Sequence, residues 1–440
     1  MIISLDKYKA TGGGTKVEGD IAISENGIYD VTTYATASVN VQPSDNYSYF
    51  DGVVDVEGLR AIGWNDESIG MYRDNSPHYS WQNDDYIVSE ENKELYGVID
   101  IYSIKNNKNN PNFKFCPFFI SNLSIMSYMF NGCSSLTSIP QLYTGNATTM
   151  SSMFAGCSSL ASIPQLDTSK VTTMSSMFAD CSSLASIPQL DTSKVTSMNS
   201  MFAGCRSLSS IPQLDTSKVT NMGSMFDNCI SLASIPQLDT SNVTDMSRIF
   251  KTCSSLTRIP QLDTSNVTDM NNMFNGCSSL ASIPQLDTSN VTDINFWLYN
   301  CTNIIEVGNF NLSKISNFGS STYASAFYGL KNLITIGELQ CDNLTDIGAF
   351  LYYSNVNLIN FGGIKNLGMQ PTLSGANSNY FMKNMPNLTY ESVLNVLNGL
   401  YNRASAGYSS ITLKLHANHL ALLSEEDISI ATAKGWTLTV

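Results

Sequence analysis

The sequence predicts an α/β solenoid, a stack of coils made from short parallel strands and short helical turns. Three observations carry the prediction. A unit of 24 residues is written seven times between Cys133 and Asn300, and its cysteine returns in register at Cys133, Cys157, Cys181, Cys205, Cys229, Cys253, Cys277 and Cys301. A fixed period of this length marks a repeat architecture. Within the second copy, CSSLASIPQLDTSKVTTMSSMFAD, the apolar residues are Cys157, Leu160, Ile163, Leu166, Val171, Met174, Met177 and Phe178, with small or polar residues nearly everywhere between. The stripe of one coil is too small to offset the conformational entropy of ordering it, so coils must cover one another and stability belongs to the stack.

Each element of the unit follows from its residues. Leu160 to Ile163 reads as a short strand stopped by Pro164, which has no N–H to extend a ladder. Asp167-Thr168-Ser169 suits an Asx-type turn, and Val171 to Met174 reads as a second strand. Ser175 is placed to cap one helical or 3₁₀ turn, Ser176 to Ala179, which carries Met177 and Phe178 inward. The eight cysteines form one row whose parallel Cβ vectors do not meet disulfide geometry, so buried reduced thiols are expected. Cys116 and Cys341 lie off the row and are expected to be buried too. No C-x-x-C pair occurs, which leaves zinc and redox readings weak.

The L-x-x-I-P strand, the V-T-x-M segment and the M-F-x-x-C-x-x-L turn resemble BspA-type leucine-rich repeats, close to the Mycoplasma-type repeats of unknown function. The resemblance implies a leucine-rich-repeat-like solenoid over residues 112–387 and a recognition surface, without saying for what. Phe113, Phe115 and Phe118 open its first coil. After Cys301 the period loosens, with Leu330, Asn355 and Met385 in the cysteine's place and insertions expected to bulge outward.

Three further segments flank the repeats. Residues 1–50 are expected to form a small β module with a hairpin at Asn26-Gly27. Its wording, E-N-G-x-Y-D-V-T-x-Y-A from Glu25 to Ala35, resembles a module near the N-termini of tailed-phage tail and fibre proteins, which implies attachment to a virion. Residues 51–111 gather Trp64, Trp81, Tyr72, Tyr79, Tyr86 and Tyr96 and are expected to form a helical cap, with one helix from Asp66 through Tyr72 and another from Ser89 to Gly97. This stretch resembles modules that precede such repeats in phage and gut-bacterial proteins. Residues 388–440 read as an α/β cap: a helix from Tyr390 to Asn402 capped by Thr389, a strand from Ser410 to Leu415, and a helix opened by Ser424 that Gly435 closes before Trp436 to Val440. The ending resembles the C-terminal cap of repeat-bearing phage and Bacteroidales proteins.

Composition excludes several function classes. A formal charge of −14 and a pI near 4.6 disfavour nucleic acid or an anionic membrane as partner. No run of 18 apolar residues exists, so no membrane insertion is expected. MIISLDKYKATGGG has no basic stretch before an apolar core, which argues against a Sec signal. No enzyme is expected, since the three histidines lie in the flanks and neither a phosphate loop nor a nucleophile elbow appears. His78 beside Asp84 and Asp85 reads as a surface histidine, and His416 with His419 lacks a third metal ligand. No cofactor is implied.

One arrangement of acids has weight, the row Asp167, Asp191, Asp215, Asp239, Asp263 and Asp287. Lys170, Lys194 and Lys218 accompany the first three. The next three have Asn242, Asn266 and Asn290 instead, with a second acid at Asp245, Asp269 and Asp293. Turn-capping carboxylates are the preferred reading. Calcium in the double row, and a carboxylate-pair hydrolase by analogy with β-helical glycan-cleaving phage proteins, are the alternatives.

The later coils replace small residues by Trp297, Tyr299, Tyr323, Tyr328, Tyr352 and Tyr353. Trp297 takes an inward methionine's place, whereas Tyr299 and Tyr328 fall at outward positions where aromatics suit contact with sugars or protein loops. Tyr299, Tyr328, Tyr323, Tyr352 and Tyr353 are therefore the candidate ligand-binding residues. The combined expectation is a phage virion protein, on the tail, fibre or particle surface, made in the host cytoplasm. It would contact other virion proteins and a host-surface glycan or protein, with a homo-oligomer compatible. A bacterial surface adhesin or interaction protein with the same repeats is the alternative, and a glycan depolymerase a more distant one.

Overall fold

The computed structural model describes the backbone of six N-terminal strands, then residues 125–139, 142, 144–319, 325–347, 350–351, 357–374 and 381–440. The strands are β1 Ile2–Ser4, β2 Asp20–Ile23, β3 Tyr29–Asp30, β4 Tyr47–Asp55, β5 Met71–Tyr72 and β6 Glu94–Asp100. The chain divides into two compact units, Met1–Val195 with Gly204–Leu208, and Thr196–Ala203 with Ser209–Val440.

In the first unit β2 pairs antiparallel with β3, with Ile23 opposite Tyr29, while the turn expected at Asn26-Gly27 lies outside the described residues. Residues 51–111 depart from the expected helical cap. Strands β4, β6 and β5 form an antiparallel sheet, and β6 occupies the end of the segment read as a helix from Ser89 to Gly97. Tyr72 lies opposite Tyr96 in that sheet. The acidic residues at Ser89-Glu90-Glu91 imitate a helix start, but Leu95-Tyr96-Gly97-Val98 prefers a pleated partner. The start of the solenoid near Asn112, Cys116, and the site reading at His78 lie outside the described residues.

Coils of the first unit show how the repeat is held. Met150, Ser152, Phe154 and Gly156 donate their amides to Thr173, Ser175, Met177 and Ala179 of the next coil, while Met153, Ala155 and Cys157 donate back within their own coil to Met150, Ser152 and Phe154. Alternate amides thus serve the neighbour and the turn. A helix would consume all of them internally, which is why the predicted helical turn from Ser176 to Ala179 is instead a run of β-turns. Its Ser176 (φ 56°) and Asp180 (φ 58°) are left-handed.

The strand predicted from Leu160 to Ile163 is also corrected. Here coil-to-coil bonds are sparse, such as Ala185 N to Ala161 O at 3.3 Å, and the parallel bridge falls in the V-T-x-M segment, Thr149 beside Thr173. Proline is the cause. In the later coils of the second unit Gly308, Gly337 and Gly362 take its place, and Gly337 and Gly362 donate to Val307 and Ile336. There true ladders form: β7 Glu306–Val307 with β9 Thr335–Ile336 and β11 Asn360–Phe361, and β8 Phe310–Asn311 with β10 Leu339–Gln340 and β12 Ile364–Lys365, all parallel.

The inward stripe is as predicted. Cysteine, Leu160, Val171, Met174, Met177 and Phe178 of the second copy are fully buried, as are their counterparts in the second unit. Phe130, Phe154 and Phe178 stack in the first unit at 5.4 and 5.7 Å between centroids. Phe202, Phe226, Phe250 and Phe274 stack likewise in the second. Thr168 is buried in the same wall, and its hydroxyl donates to Asp191 O at 2.8 Å, so the polar atom is satisfied between coils.

The C-terminal cap follows its sequence closely. Helix α1, Tyr390–Gly399, is capped by the Thr389 hydroxyl accepting from Ser392 N. Strand β13 Ile411–Lys414 pairs parallel with β14 Trp436–Thr439, and α3 Glu425–Ala433 opens with a capping box between Ser424 and Asp427. The four-residue helix α2, Ala417–Leu420, was not expected. Arg403 is buried and donates to the carbonyls of Gly368, Gln370, Pro371 and Ser409, which ties the cap to the last coil. His419 is buried with Nε2 against Met385 O, and His416 Nδ1 accepts from Asn418 N.

From Cys157 to Cys301 each row thiol donates to a phenylalanine carbonyl of the preceding coil, for example Cys181 Sγ to Phe154 O and Cys229 Sγ to Phe202 O. Cys341, off the row, is buried as expected. Burial pushes Cys181 up to about 12, so thiolate is scarce at neutral pH. Cys181, Cys205 and Cys229 are expected to resist a thiol reagent until the protein is denatured; rapid labelling of native protein would refute the inward register.

His419 predicts acid sensitivity. Burial lowers its pKa below the ordinary 6.5, against its bond to Met385. The unfolded chain then binds the proton first, so stability is full above pH 6.5 and declines as pH falls below it. Thermal melts from pH 7.5 to 5 are expected to show this slope, and His419→Gln to flatten it.

Candidate recognition surface

The outer faces of the coils carry rows of like side chains one coil apart. Asp239 Oδ1 accepts from Ser241 N and Oγ, and Asp263 Oδ1 from Ser265 N and Oγ, at 2.7–3.0 Å. In the first unit the side chain and then the backbone of Ser169 hold the Asp167 carboxyl below its usual range; at Asp263 the backbone bond of Ser265 is the larger cause. These are the Asx-type turn caps that the sequence predicts.

The switch from lysine to asparagine has a structural reason. Lys170 Nζ donates to Asn146 Oδ1, whereas Asn242, Asn266 and Asn290 reach the carbonyls of Ser217, Ser241 and Ser265 in the preceding coil at 2.7–2.8 Å. The second acids bridge coil to coil, Asp245 beside Asp269 and Asp269 beside Asp293. Partial burial raises Asp269, helped by the neighbouring charges and opposed by the Asn271 amide. Among the described residues no group of three or more His, Cys, Asp or Glu is placed to hold a metal ion.

A row that sequence reasoning missed is glutamine. Gln213, Gln237 and Gln261 each donate Nε2 to the backbone carbonyl of the next glutamine, at 2.6–2.7 Å. Between this row and the aspartates runs an open groove lined by Gln237, Leu238, Asp239, Thr240 and Ser241 and their neighbours. The invariance of Gln beside Pro in every copy was the signal, since an exposed amide repeated at one position has a partner one coil away.

The later coils break this uniformity. Tyr299 and Tyr328 are half-exposed and stack on each other at 4.5 Å between centroids, with planes 7° apart. Phe296 meets Tyr299 edge-on at 5.3 Å, although it occupies the left-handed turn position (φ 57°) that Ser200, Ser224, Arg248 and Asn272 fill in sister coils. A bulky residue there costs about 1–2 kcal/mol. Trp297 points inward as expected, fully buried against Phe310 and Phe327, with its Nε1 unpaired. An insertion between Phe318 and Ala326 is closed by Ala326 N donating to Phe318 O at 2.7 Å. Tyr323, Tyr352 and Tyr353 lie outside the described residues. Among the described residues no helix is long and apolar enough to cross a membrane.

Residues 124–235 and 230–333 match a family described as Mycoplasma protein of unknown function, DUF285. Among solved structures, a Treponema pallidum leucine-rich repeat protein is similar at 23% identity over 38% of this chain and 76% of that one, with a TM-score of 0.31. A leucine-rich cell surface protein of Faecalibacterium prausnitzii is similar at 16% identity over 59% of this chain and 90% of that one, TM-score 0.26. The functional domain of InlJ from Listeria monocytogenes, which includes a cysteine ladder, is similar at 14% identity over 73% and 77%, TM-score 0.22. A search of curated proteins found no match. The chain is thus a solenoid of leucine-rich-repeat-like coils, similar over residues 124–333 to that family of unknown function.

Because the aspartates cap turns, added calcium is expected to leave the melting temperature unchanged beyond general salt effects. A saturable rise removed by Asp263→Asn would instead establish a cation site.

Proposed function

We propose that this chain is a non-catalytic recognition protein on a tailed-phage particle, with the solenoid binding a host-surface ligand. The observation that carries recognition is the Tyr299–Tyr328 pair, two half-exposed aromatic rings at a turn where the earlier coils of the same unit have Ala203 and Asn275. Aromatic side chains held rigid at a surface are favoured contact residues. The wording from Glu25 to Ala35 supports the virion assignment, since it resembles phage tail modules. In this reading the near-identical central coils supply length and polar surface, and the later coils supply contact.

A second reading, a surface or interaction protein of a bacterium, is favoured by the match to a family named for a cellular organism. Mass spectrometry of purified virions separates the two: stoichiometric presence is expected here, and absence would favour the bacterial protein. The binding role is tested by Tyr299→Ala combined with Tyr328→Ala, expected to reduce attachment to host cells about tenfold or more without lowering the melting temperature. Unchanged attachment would remove these residues from the contact.

A further inference from the structure

The later coils of the second unit carry an exposed apolar row that the earlier coils lack. Ile305, Ile334 and Ile359, just before strands β7, β9 and β11, are 51%, 37% and 40% exposed. They stand one above the other, since Ile334 N donates to Ile305 O at 2.8 Å and Ile359 N to Ile334 O at 2.9 Å. The row is bounded at both ends. Ile305 N reaches Ala281 O in the coil before, and Thr389 N reaches Ile359 O from the start of the cap. Continued backward, the same position holds Thr257 and Ala233. Three large apolar side chains, on rungs about 4.8 Å apart, thus stand where small or polar ones stand elsewhere. The core is filled beside them by Ile304, Leu333 and Leu358, all fully buried, so the exposed isoleucines are additional to it. A contiguous exposed apolar ridge marks a contact surface.

The flanks of the ridge carry opposite charges. Where the chain enters the row, Lys331 is exposed three residues before Ile334. Where the chain leaves it, Glu306 directly follows Ile305 and Glu338 lies four residues after Ile334. Glu338 pairs with Lys365 at 2.6 Å, whereas Lys331 and Glu306 have no ion pair among the described residues. A cation on one flank and acids on the other make a surface complementary to itself, which is what a two-fold contact requires. Two copies can meet face to face about an axis along the strands or about one along the row. The first axis sets Lys331 over Lys331, like charge on like. The second sets each isoleucine over its own counterpart and carries Lys331 to the flank that holds Glu338 and, one rung away, Glu306. Charge therefore selects the second, with an apolar centre and a polar rim.

We propose that Ile305, Ile334 and Ile359 form a seam between two copies of this chain, related by a two-fold axis along the row, whatever the solenoid recognises elsewhere. The test is sedimentation velocity on the full chain from about 1 to 100 μM. A dimer whose share rises with concentration is expected. Ile334→Lys and Ile334→Asp each set like charges face to face, so each is expected to weaken self-association about tenfold or more. An equal mixture of the two is expected to regain a mixed dimer. Ile334→Thr places there the residue that Thr257 supplies in an earlier coil; it is expected to weaken the dimer at an unchanged melting temperature, which separates lost contact from lost folding. Ile305→Cys is expected to cross-link to its own counterpart under mild oxidation, the row cysteines being buried. A wild type that stays monomeric throughout overturns the second copy as occupant. A dimer that Ile334→Lys and Ile334→Asp leave intact, or a mixture of them that stays monomeric, overturns the seam. Cross-linking of Ile305→Cys only with Ile359→Cys overturns the axis.

Discussion

The structure depends on how backbone amides are shared between a coil's own turns and the next coil. At Met150 to Cys157 the donors alternate strictly between the two uses. This sharing fixes the left-handed residues at Ser152 and Gly156, because the chain must rotate each alternate N–H out of its own turn. It also explains the choice of small or turn-tolerant residues at the end of the unit, Gly156 and Asp180 in the first unit and Asn228, Thr252, Gly276 and Asn300 in the second. The side-chain rows reinforce the same axis. Thr168, Gln213, Asn242 and the cysteines all reach a carbonyl of an adjoining coil.

Proline then decides where the sharing stops. In the repeated units Pro164 and its counterparts remove one donor from the wall beside the cysteine, and the coils meet there mainly through buried side chains. When the later coils exchange proline for glycine, donors return and two parallel ladders appear. Loss of the strict period therefore coincides with a gain in backbone bonding. That gain makes the later coils less reliant on identical side chains, and such coils accept Trp297, extra residues between Phe318 and Ala326, and Tyr299 with Tyr328.

Much of this was legible from the residues. Periodicity marked every inward position of the repeat, and Trp297 could be placed because it stood where a methionine stands elsewhere. The Asx turns and the caps at Thr389 and Ser424 were readable since they depend on residues two or three apart. Features set by partners 22 to 30 residues away were less so. The turn Ser176 to Ala179 has the composition of a helix start, and only the coil-to-coil demand on its amides makes it otherwise. The strand Glu94–Asp100 shows the same limit, because its local acidic approach imitates a helix while its pairing with β4 is distant in sequence. Tyr299 and Tyr328 were readable as outward, but their mutual stacking was not, since it needed the spacing of two coils separated by an insertion.

That stacking alters the meaning of the aromatic row. Two separate exposed rings would each present a flat apolar face, the usual platform for a sugar. Rings 4.5 Å apart with planes 7° from parallel act as one ridge, ordered when the protein folds. Sister coils carry Ala203 and Asn275 at the same turn. The ridge forms in the turn whose core also changes, Trp297 and Leu298 standing where Met273 and Phe274 stand one coil earlier.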